Sequence, residues 1–296
     1  MKTKQKIVAV AGRQSQGPED GVKASCYDPD AVSVALAGIT DGARDVAKPG
    51  GARIKVLMIE GNDAHKWHNW ETTSPAIKAQ LEQDVRIQVD VTRDFENVTK
   101  LAGGGYHVLA LNYCNWKDPR QLSDAAKESL PNWLSGGGGL LAIHFCNGAF
   151  HFSLPDGSGS DWPEYRRMVR RVWNHDPTRG KASAHDQFGA FTVSVTMGSH
   201  PIVRGLNTFQ VEDELYFEQD GEDPIEPMIA AKSLLTGKDE PLAWSYNYGK
   251  GRVFQSLLGH SAKTYEAWEA GEMLRRATAW AAGKEVHENQ PAGQPK

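Results

Sequence analysis

Several histidines in this sequence directly follow short apolar runs, which is where a parallel sheet presents its reactive groups. His65 and His68 come after the first such run, His144 comes after residues 140–143, and His260 comes after the last predicted strand. In open α/β sheets, ligands bind in the crevice outside the carboxyl ends of the strands. The spacing therefore predicts that these imidazoles meet in one cleft, either as acid–base groups or as metal ligands.

The later part of the chain adds carboxylates and two further histidines. The segment EDELY contributes Asp213 and Glu214, and carboxylates beside imidazoles form either a metal site or an acid–base pair. His175 and His185 lie in predicted loops, where a position in an exposed loop would explain them equally well. The residue types alone leave both kinds of chemistry open.

The elements that must position these groups alternate between strand and helix patterns. Short apolar or alternating runs predict strands at 53–61, 85–94, 106–114, 140–143, 191–197, 209–217 and 228–231, followed by a hairpin over 241–260. Cap residues and periodicity predict helices at about 74–83, 123–134, 161–173 and 265–282, with Pro131 kinking or shortening the second. Alternating strands and helices predict an α/β fold with a doubly wound, mostly parallel sheet and added β-hairpin elements.

Composition limits the class of protein without naming a function. The chain has 296 residues, a formal net charge of −4, 40% hydrophobic and 24% charged residues. This balance gives no electrostatic reason to expect a nucleic acid or a membrane surface as partner. Three cysteines without a CxxC pair do not form a disulfide framework. We therefore predict a cytoplasmic protein, although a mature chain whose export signal had been removed would look the same.

Three regions are expected from the distribution of residue types. Residues 1–52 are predicted to be a peripheral or poorly ordered extension, or else a strand added to the sheet, with a strand-like piece at 6–10 and a short helix from Pro29. Residues 53–283 form the predicted domain. Residues 284–296 are polar and rich in Pro and Gly, which predicts a disordered tail.

Four stretches, taken in order, resemble the trehalose-utilisation (ThuA-like) family. They are VLMIEGNDAHKWH, GGGLLAIHFCNGAF, SHPIVRGLNTFQVEDELY and PLAWSYNYGKGRVFQSLLGH, within residues 53–282. The resemblance implies a flavodoxin-like fold, similar to that of class I glutamine amidotransferases. It also implies that His68, His144, Asp213, Glu214 and His260 match the functional positions of the family, with His65 as the alternative to His68.

The amidotransferase comparison explains why a buried strand should end on a histidine. Those enzymes carry a nucleophilic cysteine at the sharp turn after a central strand, and this sequence carries His144 there. Cys146, two residues further on, is better explained as a small buried residue of the turn. The resemblance therefore implies that the sharp turn is kept while amidotransferase chemistry is lost.

The family resemblance further implies a small carbohydrate as partner, in the form of a glycoside or its 3-keto derivative. Trp67, Trp70, Asn112 and Trp116 follow predicted strands and are the expected sugar-binding residues, with core packing as the alternative for the tryptophans. The expected chemistry is hydrolysis or elimination, with His144 as general base or metal ligand and Glu214 as acid, base or ligand oriented by Asp213.

Two other functions stay open at this stage, as do the cofactor and the oligomeric state. One is a non-catalytic sugar-binding or regulatory protein, and the other is a metal-dependent hydrolase of another substrate class. No cofactor is certain, but a divalent metal ion, zinc or manganese, is a candidate, with His144 and His260 as its expected ligands. A homo-oligomer is compatible with the sequence.

Overall fold

A computed structural model describes residues 53–155 and 157–289 of the chain. The strands in chain order are β1 (Ile54–Gly61), β2 (Ile87–Thr92), β3 (Val108–Tyr113), β4 (Gly139–Ile143), β5 (Ala184–His185), β6 (Gly189–Val195), β7 (Phe209–Asp213), β8 (Tyr216–Phe217), β9 (Pro227–Lys232), β10 (Asp239–Tyr248) and β11 (Gly251–Ser256). The α-helices are α1 (Trp70–Leu81), α2 (Asp124–Ser135), α3 (Pro163–Met168) and α4 (Trp268–Ala281). Short 3₁₀ turns occupy Phe95–Lys100, His144–Gly148, Gly157–Ser160 and Ala262–Glu266.

Within the described residues, one nine-stranded sheet has the order β2-β1-β3-β4-β11-β10-β9-β6-β7. The strands from β2 to β11 in this order pair in parallel, and the remaining strands pair antiparallel. β5 and β8 form a separate small antiparallel ladder. The predicted α/β class, with a mostly parallel sheet extended by antiparallel elements, is confirmed.

The parallel strands are apolar along nearly their whole length because both faces of the sheet are covered. All five residues of β4 are buried, and so are the four that begin β3. The helices α1 and α4 pack against each other beside β1 and β4. The ends of β1, β4 and β11 are thereby held rigidly at one edge of the sheet.

Two helices differ from their predicted bounds at proline residues. α1 begins at Trp70 rather than after Ser74, so Pro75 is the sixth of its twelve residues and removes one backbone hydrogen bond of the helix. The buried Trp70 ring packs against Gly61, which provides contacts for this extra turn. α2 is capped by Ser123, whose side chain accepts a hydrogen bond from the Ala126 amide, as predicted.

Other differences arise where tertiary contacts interrupt a regular pattern. α2 runs through Pro131 to Ser135, so the proline does not shorten it. α3 ends at Met168 instead of residue 173, because the amide of Arg170 donates to Tyr246 and Val172 forms a bridge with Asp220. The strand predicted over 209–217 is divided into β7 and β8.

The two ends of the chain are only partly described. The predicted extension at 1–52, including its strand-like piece and the helix from Pro29, lies outside the described residues, as do residues 290–296. Residues 284–289 contact the domain: the Asn289 amide donates to Glu272 at 2.9 Å, and Glu288 pairs with Arg204. No described helix combines the length and the apolar character needed to cross a membrane.

The loop after β4 contains a buried histidine that should make stability depend on pH. His151 is inaccessible to solvent, and burial followed by the nearby Arg166 charge lowers its pKa from 6.5 to about 4. The folded state thus binds this proton less readily than the unfolded state. The free energy of unfolding therefore has its full value above pH 6.5. It decreases as the pH falls from 6.5 towards 4, by up to about 3 kcal/mol from this histidine.

We expect His151→Asn to flatten this dependence, because an asparagine side chain does not titrate. Its side-chain oxygen can accept the hydrogen bond that the backbone N–H of Ser153 donates to Nδ1 of His151 at 3.2 Å. Urea unfolding at pH 7.5 and 5.0 measures the difference. The control His287→Asn changes an exposed histidine and should leave the wild-type dependence intact. Equal acid sensitivity of wild type and His151→Asn would contradict the assignment.

Candidate functional site

Four side chains from four separate segments converge at the carboxyl edge of the sheet. His68 follows β1, His144 follows β4, Glu214 lies between β7 and β8, and His260 follows β11. One nitrogen or oxygen atom from each lies within 4.8 Å of those of the other three. The structure therefore brings together three of the histidines and the carboxylate Glu214 that the sequence analysis selected.

His144 occupies a sharp turn with a left-handed backbone, at φ +48°. Its side chain is 3% exposed, and Nδ1 donates to the backbone carbonyl of Leu257 at 2.7 Å. Burial, reinforced by His68 and His260, lowers its pKa well below the usual value. At neutral pH the ring is therefore neutral, with its proton on Nδ1 and a lone pair on Nε2.

Tyr216 is a member of the site that the sequence analysis did not select. Its hydroxyl lies 2.9 Å from Nε2 of His144 and 3.2 Å from Nε2 of His68. Since Nε2 of His144 carries a lone pair, the phenol donates to it. Proximity to Glu214 in the EDELY segment was the only sequence signal for this residue.

Glu214 is the charged group of the site. Its Oε2 lies 3.0 Å from Nδ1 of His260 and 4.0 Å from Nε2 of His144, and its Oε1 lies 3.6 Å from Nδ1 of His185. Partial burial, the largest single effect, raises the pKa of this carboxyl, but the contact with His260 together with the nearby His185 and His68 outweighs burial and lowers the pKa. The carboxylate is ionised at neutral pH and can accept a proton or bind a cation.

Asp213 lies behind the site and organises it. Its carboxylate accepts hydrogen bonds from the amides of Glu214, Gly259 and His260 and from the hydroxyl of Thr264, at 2.7–3.1 Å. It is inaccessible to solvent, and this burial raises its pKa to about 6. The geometry makes Asp213 a positioning residue for Glu214 and His260 instead of a group that touches a bound molecule.

The cluster forms one side of a cleft whose walls are largely aromatic. Trp67, Trp116, Trp173 and Phe145 line it together with His175. The other lining residues are His68, His185, Glu214, Tyr216 and His260, whereas His144 is not among them. A ligand with apolar faces and polar edges would match the aromatic walls and the polar side chains of this cleft.

Three sequence candidates lie outside the cleft. Trp70 is buried against Gly61 and the Arg93 side chain, and Asn112 donates to Thr73 and Ser74, which ties α1 to β3. His65 packs on Trp70, with ring centres 5.2 Å apart, so His68 is the loop histidine that faces the cluster. Trp70 and Asn112, which the sequence analysis expected to bind sugar, thus pack around α1 and are not among the residues that line this cleft.

Gly259 allows His144 and His260 to approach each other. It has φ +134°, and an added Cβ would lie 2.9 Å from the Tyr265 hydroxyl and 3.2 Å from Cβ of His144. We expect Gly259→Ala to cost about 2–4 kcal/mol of stability, from backbone strain plus overpacking. Chemical denaturation provides the measurement.

The matched control for this substitution is Gly137→Ala. Gly137 has a similar positive φ, at +124°, but an added Cβ would meet nothing within 4 Å. The difference between the two variants isolates the steric part of the cost. Equal losses of stability would show that the approach to His144 is not restricted by Gly259.

Comparisons with known proteins agree with this architecture. The ThuA family model, described as trehalose utilisation, matches residues 55–281. A ThuA-like protein from Parabacteroides merdae is 24% identical, with a TM-score of 0.67 over 82% of this chain and 95% of that one.

Two further solved structures show the same fold. A ThuA-like protein from Bacteroides uniformis is 16% identical, with a TM-score of 0.60 over 81% of this chain and 95% of that one. A cytoplasmic protein from Salmonella typhimurium is 12% identical, with a TM-score of 0.52 over 77% of this chain and 99% of that one. A comparison with curated proteins found no match.

Proposed function

This chain belongs to the ThuA (trehalose utilisation) family, and from that premise we propose that it is a carbohydrate-processing enzyme. Its substrate would be a glycoside or a 3-keto sugar derivative, and its reaction a hydrolysis or an elimination. The observation that carries the proposal is the convergence of His68, His144, Glu214 and His260 at one side of an aromatic cleft.

The cleft offers the two kinds of contact that a sugar needs. The indole rings of Trp67, Trp116 and Trp173 provide flat apolar surfaces, and Trp67 is 52% exposed at the rim. The imidazoles and the carboxylate provide polar partners for hydroxyl groups. Flat rings beside polar groups fit a ring with alternating apolar faces and polar edges.

The chemistry would begin with removal of a proton beside the keto group. The hydrogen on the carbon between the 3-keto group and the anomeric carbon is acidic, and the ionised Glu214 would accept it as a proton. The electron pair of that bond then forms the enolate and expels the anomeric oxygen, which takes up a proton. Tyr216 lines the cleft, and burial holds its pKa well above the usual value, so its hydroxyl stays protonated at neutral pH; it would leave its bond to His144 and donate that proton.

Incubation with a panel of 3-keto-glycosides in D₂O tests this proposal. We expect cleavage with loss of the hydrogen beside the keto group, and deuterium at that carbon where the enolate is reprotonated or water adds to the unsaturated product, detected by NMR and mass spectrometry. We also expect a loss of about 10²–10⁴ in rate for His144→Ala. The control His65→Ala removes the neighbouring loop histidine and should retain activity. Unchanged turnover in His144→Ala, or sugar binding without any product, would overturn the enzymatic proposal.

A further inference from the structure

We propose that His68, His144, His260 and Glu214 together bind one divalent first-row transition cation, such as Zn²⁺. The inference does not depend on the carbohydrate assignment, because it rests on the arrangement of donor atoms. Three imidazole nitrogens and one carboxylate oxygen form a donor set that such ions prefer, since neutral imidazole and carboxylate are both common ligands of zinc.

The spacing of the three imidazole rings is that of ligands around a single ion. Their centres form a nearly equilateral triangle with sides of 5.1, 5.4 and 5.4 Å, and the rings are steeply inclined to one another. A zinc–nitrogen bond of about 2.1 Å places the ring centre about 3.2 Å from the ion, so two imidazoles at a tetrahedral angle have centres about 5.2 Å apart. The donor atoms themselves lie within 4.8 Å of one another, so adjustments of about 1 Å would close the site.

The second nitrogen of His144 is engaged in the way that metal-binding histidines require. Nδ1 of His144 donates to the Leu257 carbonyl at 2.7 Å, which holds the proton on Nδ1 and directs the Nε2 lone pair into the site. Nδ1 of His68 is buried 3.0 Å from the Asp63 carboxylate but makes no hydrogen bond of acceptable geometry within the described part of the chain. Both Nε2 atoms face the Tyr216 hydroxyl.

The contact between His260 and Glu214 provides an independent indication. Nδ1 of His260 is buried and lies 3.0 Å from Oε2 of Glu214, yet it makes no hydrogen bond of acceptable geometry within the described part of the chain. Two polar atoms this close that do not point at each other can both point at a third partner. A separation of about 3.0–3.4 Å is also that of neighbouring ligands on one zinc ion.

Metal content and binding affinity test the proposal directly. The full chain is purified without chelators for plasma mass spectrometry, then stripped and titrated calorimetrically with Zn²⁺ and with Mn²⁺. We expect one site per chain in the wild type, and affinity at least about a hundredfold weaker in His144→Ala and in Glu214→Gln. The control His175→Ala, a histidine of the same cleft outside the donor set, should bind like the wild type.

The outcomes separate this inference from the proposed function. Absence of a one-to-one site for both ions in the wild type, or wild-type affinity in Glu214→Gln, would overturn the metal site. Glu214→Gln preserves side-chain shape, and its melting curve shows whether it is folded. Sugar turnover by a wild-type chain that binds neither ion would overturn the metal site and leave the reaction intact, whereas tight metal binding without any sugar turnover would support the site and refute the reaction.

Discussion

Replacing Glu214 by glutamine should lower the rate of keto-glycoside cleavage by about 10²–10⁴ while leaving the fold intact. The substitution keeps the size of the side chain but removes the charge that faces His260 at 3.0 Å and His185 at 3.6 Å. An amide neither accepts a proton at neutral pH nor binds a divalent cation as a carboxylate does. Steady-state kinetics on the substrate found by the screen gives kcat and kcat/KM for both proteins.

Glu212→Gln is the matched control, because Glu212 is two residues away and pairs with Lys263 on the surface. Water screens an exposed pair of this kind, so this variant should keep its activity and nearly all of its stability. If Glu214→Gln retained wild-type kcat/KM, Glu214 would have no part in the reaction. A large fall in the melting temperature of Glu214→Gln would instead mark it as a structural residue.

The sequence predicted the position of the site well because one topological rule governs it. Histidines after β1, β4 and β11 had to meet, since the carboxyl ends of parallel neighbouring strands share one edge of the sheet. His68, His144 and His260 accordingly lie in mutual contact, with ring centres 5.1–5.4 Å apart. This inference needed only the type and the end of each strand.

The topological rule does not predict the other residues that contact the histidines. Tyr216 reaches the cluster because the predicted strand breaks after Asp213, and the break depends on the hydrogen bonds that Asp213 makes across the sheet edge. Asp63 and Leu257 contribute through a carboxylate contact and a backbone carbonyl, which carry no sequence pattern. Contacts of this kind depend on long-range packing.

Two tryptophans also show that tertiary contacts limit what the sequence can predict. Trp67 and Trp70 follow the same strand three residues apart, yet Trp67 lines the cleft and Trp70 is buried. The difference arises because α1 begins at Trp70, which turns that side chain inward against Gly61. Local composition could not separate them, since the start of the helix depends on this tertiary contact.

Replacing Asp213 by alanine should destabilise the protein by about 3–5 kcal/mol and disorder the site at the same time. The substitution leaves three backbone amides and the Thr264 hydroxyl without their acceptor in a region closed to water. Each buried donor without a partner costs about 1–3 kcal/mol, partly offset because an ionised side chain no longer has to be buried. Chemical denaturation measures this loss, and kinetics measures the effect on turnover.

Substitutions at the two neighbouring carboxylates show whether Asp213 acts as a positioning residue. Residues 212–214 are all acidic but differ in environment. Glu212→Gln should change neither stability nor turnover, and Glu214→Gln should change turnover alone. Asp213→Ala should change both, and Asp213→Asn should restore part of the stability because one side-chain oxygen remains as acceptor. If Asp213→Ala kept wild-type stability while losing turnover, Asp213 would act on the substrate directly, and its assignment as a positioning residue would be wrong.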